Sequence, residues 1–191
     1  YLGEKLDYAI SDTFFQVRGP LSKQSDIVLV GIDDDSFQSL RLQPPWPRSW
    51  HAKLLTSLSA ARARVVVFDV LFDTHSKDPN DDHLFSKAIA AHPNVILANS
   101  RTTTETKTFT KESWLEPVST LLSANPNIGC MELLVDPDGA VRRAQLNFAG
   151  KPTLGYAAAK KFAGGDRWQA IASQDQSFTI NFLGPAGTIP I

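Results

Sequence analysis

The chain has 191 residues, 42% hydrophobic and 20% charged, which suits one globular domain with a sizeable core. Nineteen Lys and Arg against 20 Asp and Glu leave a net charge of -1, which argues against a general nucleic-acid binder with its clustered positive charge. The single cysteine, Cys130, excludes an intramolecular disulfide and a zinc site built on several thiolates. No uninterrupted apolar run approaches the ~20 residues of a membrane-spanning helix. The start at Tyr1 lacks the charged-then-apolar pattern of a signal peptide, and the chain is expected to be cut from something longer.

Taken in order, residues 1–17 repeat Leu2, Leu6, Ala9, Ile10, Phe14 and Val17 at helical spacing, and Arg18-Gly19-Pro20 ends the helix. The β-branched run Ile27–Ile32 predicts a strand buried on both faces, stopping at Asp33-Asp34-Asp35-Ser36. A Pro/Trp loop, Pro44–Trp50, leads into a helix capped by Ser49 with Trp50, Leu54, Leu55, Leu58 and Ala61 on one face. Val65–Phe72 predicts a second buried strand, Asp81 or Asp82 caps a helix running to about His92, and Val95–Ala98 predicts a third strand. Three strands separated by two helices make a βαβαβ half.

The second half reads differently. Residues 101–113, rich in Thr among mixed charges, predict an exposed loop, followed by a short helix over Trp114–Leu122. Ile128–Val135 and Val141–Phe148 around Asp136-Pro137-Asp138-Gly139 predict a β-hairpin. Thr153–Phe162 predicts a helix ended by Gly164-Gly165, and Phe178–Leu183 a strand turning at Gly184-Pro185-Ala186-Gly187. The expected fold is α/β, a three-layer-like mixed sheet with flanking helices, in one domain: an N-terminal helix at 1–17 and a core at 26–191.

Chemistry is sought at the carboxyl ends of the strands, where ligands of open α/β sheets bind. Asp33 and Asp35 follow the first expected strand, Asp69 and Asp73 end the second, and Arg48 leaves the intervening loop near that edge. One reading is a Mg²⁺-dependent phosphoryl site, similar to the haloacid-dehalogenase Asp-x-Asp-x-Thr/Val pattern, although Phe37 stands at the Thr/Val position. The preferred reading is structural: the acids cap helices and turns, and Arg48 is paired with Asp33 or Asp69 in a buried ion pair. Asp73, His75, Asp78, Asp81, Asp82 and His83 lack EF-hand spacing and read as a solvated loop with a helix cap. No nucleophile elbow, phosphate loop or His-x-x-x-His pair is present, and Cys130 reads as inert packing, so no enzyme, metal or cofactor is expected.

The ordered set of segments resembles the CHASE2 sensory domain. It comprises Arg18-Gly19-Pro20, Ile27–Asp33 with Ser36, Trp46-Pro47-Arg48, Val66–Phe72, Asp82, Ile128-Gly129, Asp136–Gly139 with Val141-Arg142-Arg143, and Ile180–Pro185. The resemblance implies an extracytoplasmic input domain of a bacterial transmembrane receptor, with a cyclase, histidine kinase, Ser/Thr kinase or diguanylate cyclase as output. It implies membrane anchoring outside this segment, a small-molecule or protein signal, and a homodimer as one possible partner. Asp33, Trp46, Arg48, Asp69 and Asp82 are its candidate signal-binding residues, and the same residues also suit a role in holding the fold. Gln43-Pro44-Pro45 replaces the family's usual second Trp-Pro step or Gly. The family continues past the last strand, so the sheet is expected to lack a strand here. A protein–protein module without a small ligand is the alternative function.

Overall fold

The computed structural model describes residues 2–21, 26–41, 44–105, 108–164 and 177–185. Their contacts group into two compact units, Tyr1–Pro44 with Ile180–Ile191, and Pro45–Thr179. The first holds α1 (Leu2–Arg18), where the periodicity placed it, and α2 (Asp34–Leu40). Arg18 donates to the Asn181 carboxamide and the Phe182 carbonyl, and Phe15 meets the Phe182 ring edge-on at 5.7 Å.

Between these helices the structure departs from the expectation. Ile27–Ile32 forms no strand, and Val28, Leu29 and Val30 are exposed. A β-branched run states a backbone preference, but a strand also needs a neighbouring edge, which the local sequence does not encode.

The second unit carries the sheet. β1 (Val66–Phe68) pairs parallel to the start of β2 (Val95–Glu105) in the register Val66 to Val95, with α4 (Pro79–Ala91) as the crossover. β4 (Asn127–Cys130) pairs parallel to β2 through Ile96 to Asn127. The far half of β2 instead pairs antiparallel with β3 (Thr110–Leu115), from Ser100 with Leu115 to Glu105 with Thr110. The Thr-rich segment therefore contributes two paired strands and is not a loop; β-branched Thr suits a pleated surface without core burial. Only α5 (Ser119–Leu122) remains of the helix expected over 114–122.

Helices cover both faces. Val95 and Leu97 join Phe68, Phe72, Leu55 of α3 (Arg48–Ala60), Phe85 and Ile89 of α4, and Leu121 in one core cluster. By strand alternation Ile96 and Ala98 face the other way, and α6 (Leu154–Ala163), with buried Tyr156 and Ala157, packs on β4 and β2. The α/β class with its mixed sheet is thus present.

The strand expected over Val65–Phe72 shortens to Val66–Phe68 and that over Phe178–Leu183 becomes Ser177–Thr179, and two helix starts move. α3 starts after Pro47, which makes no side-chain cap, so Ser49 lies inside the first turn. α4 is capped by Asp78, which accepts from the Asn80 amide at 2.9 Å with Pro79 at the first helical position, so neither Asp81 nor Asp82 is the cap.

The expected hairpin survives as its turn and one bridge, Leu134 with Arg143, because its first strand is taken by β2. The Asp136 amide donates to the Ala140 carbonyl at 2.8 Å, and Gly139 supplies a φ of 86°. Asp136 accepts from Arg143 and Arg142, which hold its carboxyl below the usual range. Past the turn, β5 (Arg143–Gln145) pairs antiparallel with β8 (Ser177–Thr179), and β6 (Asn147–Phe148) with β7 (Lys151–Pro152). α6 ends at Gly164, φ 64°; Gly165 and the Ala186-Gly187 half of the last expected turn lie outside the described residues.

Gly129 allows α6 to approach β4: a Cβ there would sit 2.8 Å from the Leu154 Cα. Gly129→Ala is expected to cost about 1–3 kcal/mol by overpacking. Gly155→Ala, where nothing lies within 4 Å of the new carbon, is expected to stabilise by about 0.5–1 kcal/mol in the helix. Urea unfolding of the two variants checks both signs.

Candidate functional site

The buried stripe of α3 carries two polar side chains, Arg48 and His51, ahead of Ala52 and Leu55. The buried stripe of α4 answers with Asp82, Phe85 and Ile89. Helical spacing brings these groups to one level. The loop 69–78 between β1 and α4 closes over them.

Arg48 is 5% exposed, and its guanidinium lies over the Phe72 ring, 4.5 Å from the centroid. It donates from Nη2 to the Thr74 carbonyl at 3.0 Å, and its Nε lies 3.8 Å from Asp82 Oδ1. That separation is an ion pair and not a hydrogen bond, and Nε makes no hydrogen bond. Burial pulls the guanidinium below its ordinary value, while Asp82 foremost, then Asp73 and Asp81, push it back.

Asp82 is 1% exposed and fully engaged: it accepts from His75 Nδ1 at 2.9 Å and from the Ser76 amide at 3.1 Å. The carboxylate thus joins α4, the loop and α3. Arg48 is partnered by Asp82, where the expectation named Asp33 or Asp69. A carboxylate three residues into a helix reads as a capping or dipole residue; only the arrival of α3 shows it to be buried.

The other candidates lie on other elements. Asp33 belongs to the first unit and caps α2, accepting from the Ser36 amide at 2.9 Å and the Ser36 hydroxyl at 2.7 Å. The Ser36 hydroxyl, then the Ser36 amide, hold its carboxyl below the usual range. Trp46 is half-buried just ahead of α3. Asp69 is exposed one residue past β1.

His51 was not singled out by sequence, because a lone histidine between Trp50 and Ala52 carries no pattern. It is 5% exposed among the rings of Phe72, Phe85 and Phe68, at 5.1, 5.8 and 6.2 Å between centroids. Its Nδ1 makes no hydrogen bond. Burial, aided by the adjacent Arg48 charge, lowers its pKa against the smaller opposing pull of the Pro47 carbonyl.

A second polar group also escaped the sequence reading. Asn99, wholly buried at the end of the parallel pairing, donates to Glu116 at 3.0 Å, and Glu116 pairs with Lys151. Its signal was a polar residue closing the apolar run Val95–Ala98. Cys130 is buried, and burial pushes its thiol up, as inert packing requires. Among the described residues no three metal-ligating side chains gather.

Asp82→Ala leaves Arg48 buried and unpaired and is expected to cost about 3–5 kcal/mol. His51 carries the pH dependence. The unfolded chain takes up a proton near the ordinary value of 6.5, and the folded chain takes it up only at a lower pH. Its share of stability is therefore whole above that value and declines as the pH falls below it, by at most about 1.4 kcal/mol per pH unit. His51→Phe is expected to flatten this limb in urea titrations at about pH 7 and about pH 5.

The model of the CHASE2 domain family matches residues 2–191. No curated protein and no solved structure matches the chain. No helix among the described residues is long and apolar enough to cross a membrane. Matched over nearly its whole length, the chain belongs to the CHASE2 family, a family of sensory domains of extracytoplasmic receptors.

Proposed function

We propose that this chain is the signal-input domain of a bacterial transmembrane receptor, anchored by segments outside it and driving a cytoplasmic cyclase or kinase. The observation that carries the reading is the family match over residues 2–191. The proposed signal-responsive residues are Asp33, Trp46, Arg48, Asp69 and Asp82. Within the second unit they divide by exposure. Asp69 is exposed and Trp46 half-buried, whereas Arg48 and Asp82 are closed and act as a joint between α3, α4 and the loop.

The joint suits a switch because its bonding is incomplete. Arg48 spends one hydrogen bond on Thr74 and approaches Asp82 without bonding it. A signal that favours one placement of the 69–78 loop would change which acceptor holds Arg48. It biases the domain only by its differential affinity for the two placements. In the other unit, Asp33 fixes the start of α2 and transmits whatever moves that helix.

A thermal-shift screen of the chain against divalent ions, nucleotides, sugars, amino acids and organic acids tests the reading. A ligand at about 100 times its Kd adds about 2.7 kcal/mol, a rise of roughly 5–10 °C at this size. The expected result is a rise that Trp46→Ala or Asp69→Asn abolishes without lowering the ligand-free midpoint. A rise undiminished in both variants would place the site elsewhere, and silence across the panel would favour a protein signal.

A further inference from the structure

Ligands of open α/β sheets bind beyond the carboxyl ends of the parallel strands. In the second unit the last parallel pair is Asn99 with Cys130, where β2 leaves β4 and goes on beside β3. Asn99 is wholly buried there, and its Nδ2 donates to both oxygens of Glu116, at 3.0 and 3.1 Å. A carboxylate only accepts, so the amide is fixed in this sense and Oδ1 is the acceptor left over. Among the described residues Oδ1 accepts no hydrogen bond. A buried acceptor without a donor is costly, and it marks a place where a donor is wanted.

A cation already sits beside it. The Lys151 ammonium donates to Glu116 Oε1 and lies over the Trp114 ring, 4.6 Å from the centroid. A carboxylate beside an indole face is the chemistry that recognises ammonium groups. The Lys151 and Glu116 side chains are each 35% exposed, so solvent reaches the contact and it can exchange. Other charges of this edge are spent elsewhere. Glu132 accepts from the Ser100 hydroxyl and the Arg101 amide, while the Arg101 guanidinium lies over Phe148 and pairs with Glu112.

We propose that Glu116, Trp114 and Asn99 form a binding site for a small organic ammonium ion, with Lys151 as its internal competitor. A free primary ammonium carries three N–H donors. It can give one to Glu116 and another to Asn99 Oδ1 while its charge rests on the Trp114 face. Tethered Lys151 makes the first and last of these contacts and leaves Oδ1 unanswered. The added bond is the advantage of the free ligand. Once displaced, Lys151 releases β7, which runs through Pro152 into Thr153, the cap of α6. Only the identification of this ion with the receptor's signal rests on the reading above; the site itself does not.

Titration with n-butylammonium chloride at constant ionic strength tests the site, read by NMR at the Trp114 indole and the Asn99 carboxamide. Saturable shifts of both groups are expected. Lys151→Met, which removes the competitor, is expected to bind at least about fivefold more tightly. Lys111→Met removes the same charge from exposed β3 and is expected to change nothing. Glu116→Gln is expected to weaken binding at least about tenfold. Tetramethylammonium, which has no N–H for Asn99, is expected to bind at least about fivefold more weakly than n-butylammonium. An equal gain in the two lysine variants, equal binding of the two ammonium ions, or no shift up to about 100 mM overturns the proposal. Trp46→Ala and Asp69→Asn are expected to leave this titration unchanged. Failure here therefore removes this site and leaves the receptor reading, which stands on the family match.

Discussion

A guanidinium can be buried only where something answers its charge, and the placement of Arg48 constrains the elements around it. Its carboxylate must come from α4, its remaining acceptor from the Thr74 carbonyl, and its flat face must lie on Phe72. These three demands fix the separation of α3 from α4 and the path of the loop between β1 and α4. They also hold Phe72 against Phe85 and Phe68, at 5.2 and 5.9 Å between ring centroids, and so shape the aromatic part of the core. His51 fills the remaining space beside the rings, where burial, aided by the nearby Arg48 charge, holds its pKa below the ordinary value.

In the proposed reading, the same pair is the route from fold to sensing. An ion pair at 3.8 Å, without a hydrogen bond at Nε, is tight enough to neutralise Arg48 yet leaves bonding capacity unused. Its neighbours on the loop, Thr74, His75 and Ser76, are bound through few groups, so a modest bias at the exposed edge has a defined element on which to act. In the other unit, α1 is held along one flank by Phe182.

Much of this was legible in the residues. Continuous apolar runs located β1 and the buried start of β2, helical spacing located α1, α3 and α4, and Asp136–Gly139 announced its turn. The ordered motifs led to the family as well. The misplaced caps of α3 and α4 were local misreadings, whereas the larger failures share a cause: each depends on a partner that local sequence does not name. Ile27–Ile32 has strand chemistry but forms no strand, and the Thr-rich segment finds β3 and becomes one. Asp82 looked like a cap until α3 supplied Arg48. Arg48 itself was legible as a residue in need of a carboxylate, but not which carboxylate, because the nearer Asp33 and Asp69 along the chain drew the reading away from Asp82.

The central claim is that Arg48 and Asp82 act as one unit, and a double-mutant cycle with Arg48→Met and Asp82→Leu measures this most directly. Each single change strands a buried group, whereas the double change removes both charges and leaves apolar side chains of similar volume. The account predicts that the two losses in unfolding free energy fail to add, with a coupling of about 1–3 kcal/mol and a double variant more stable than their sum requires. Losses that add to within about 0.5 kcal/mol would show that the two residues act independently, and would contradict it.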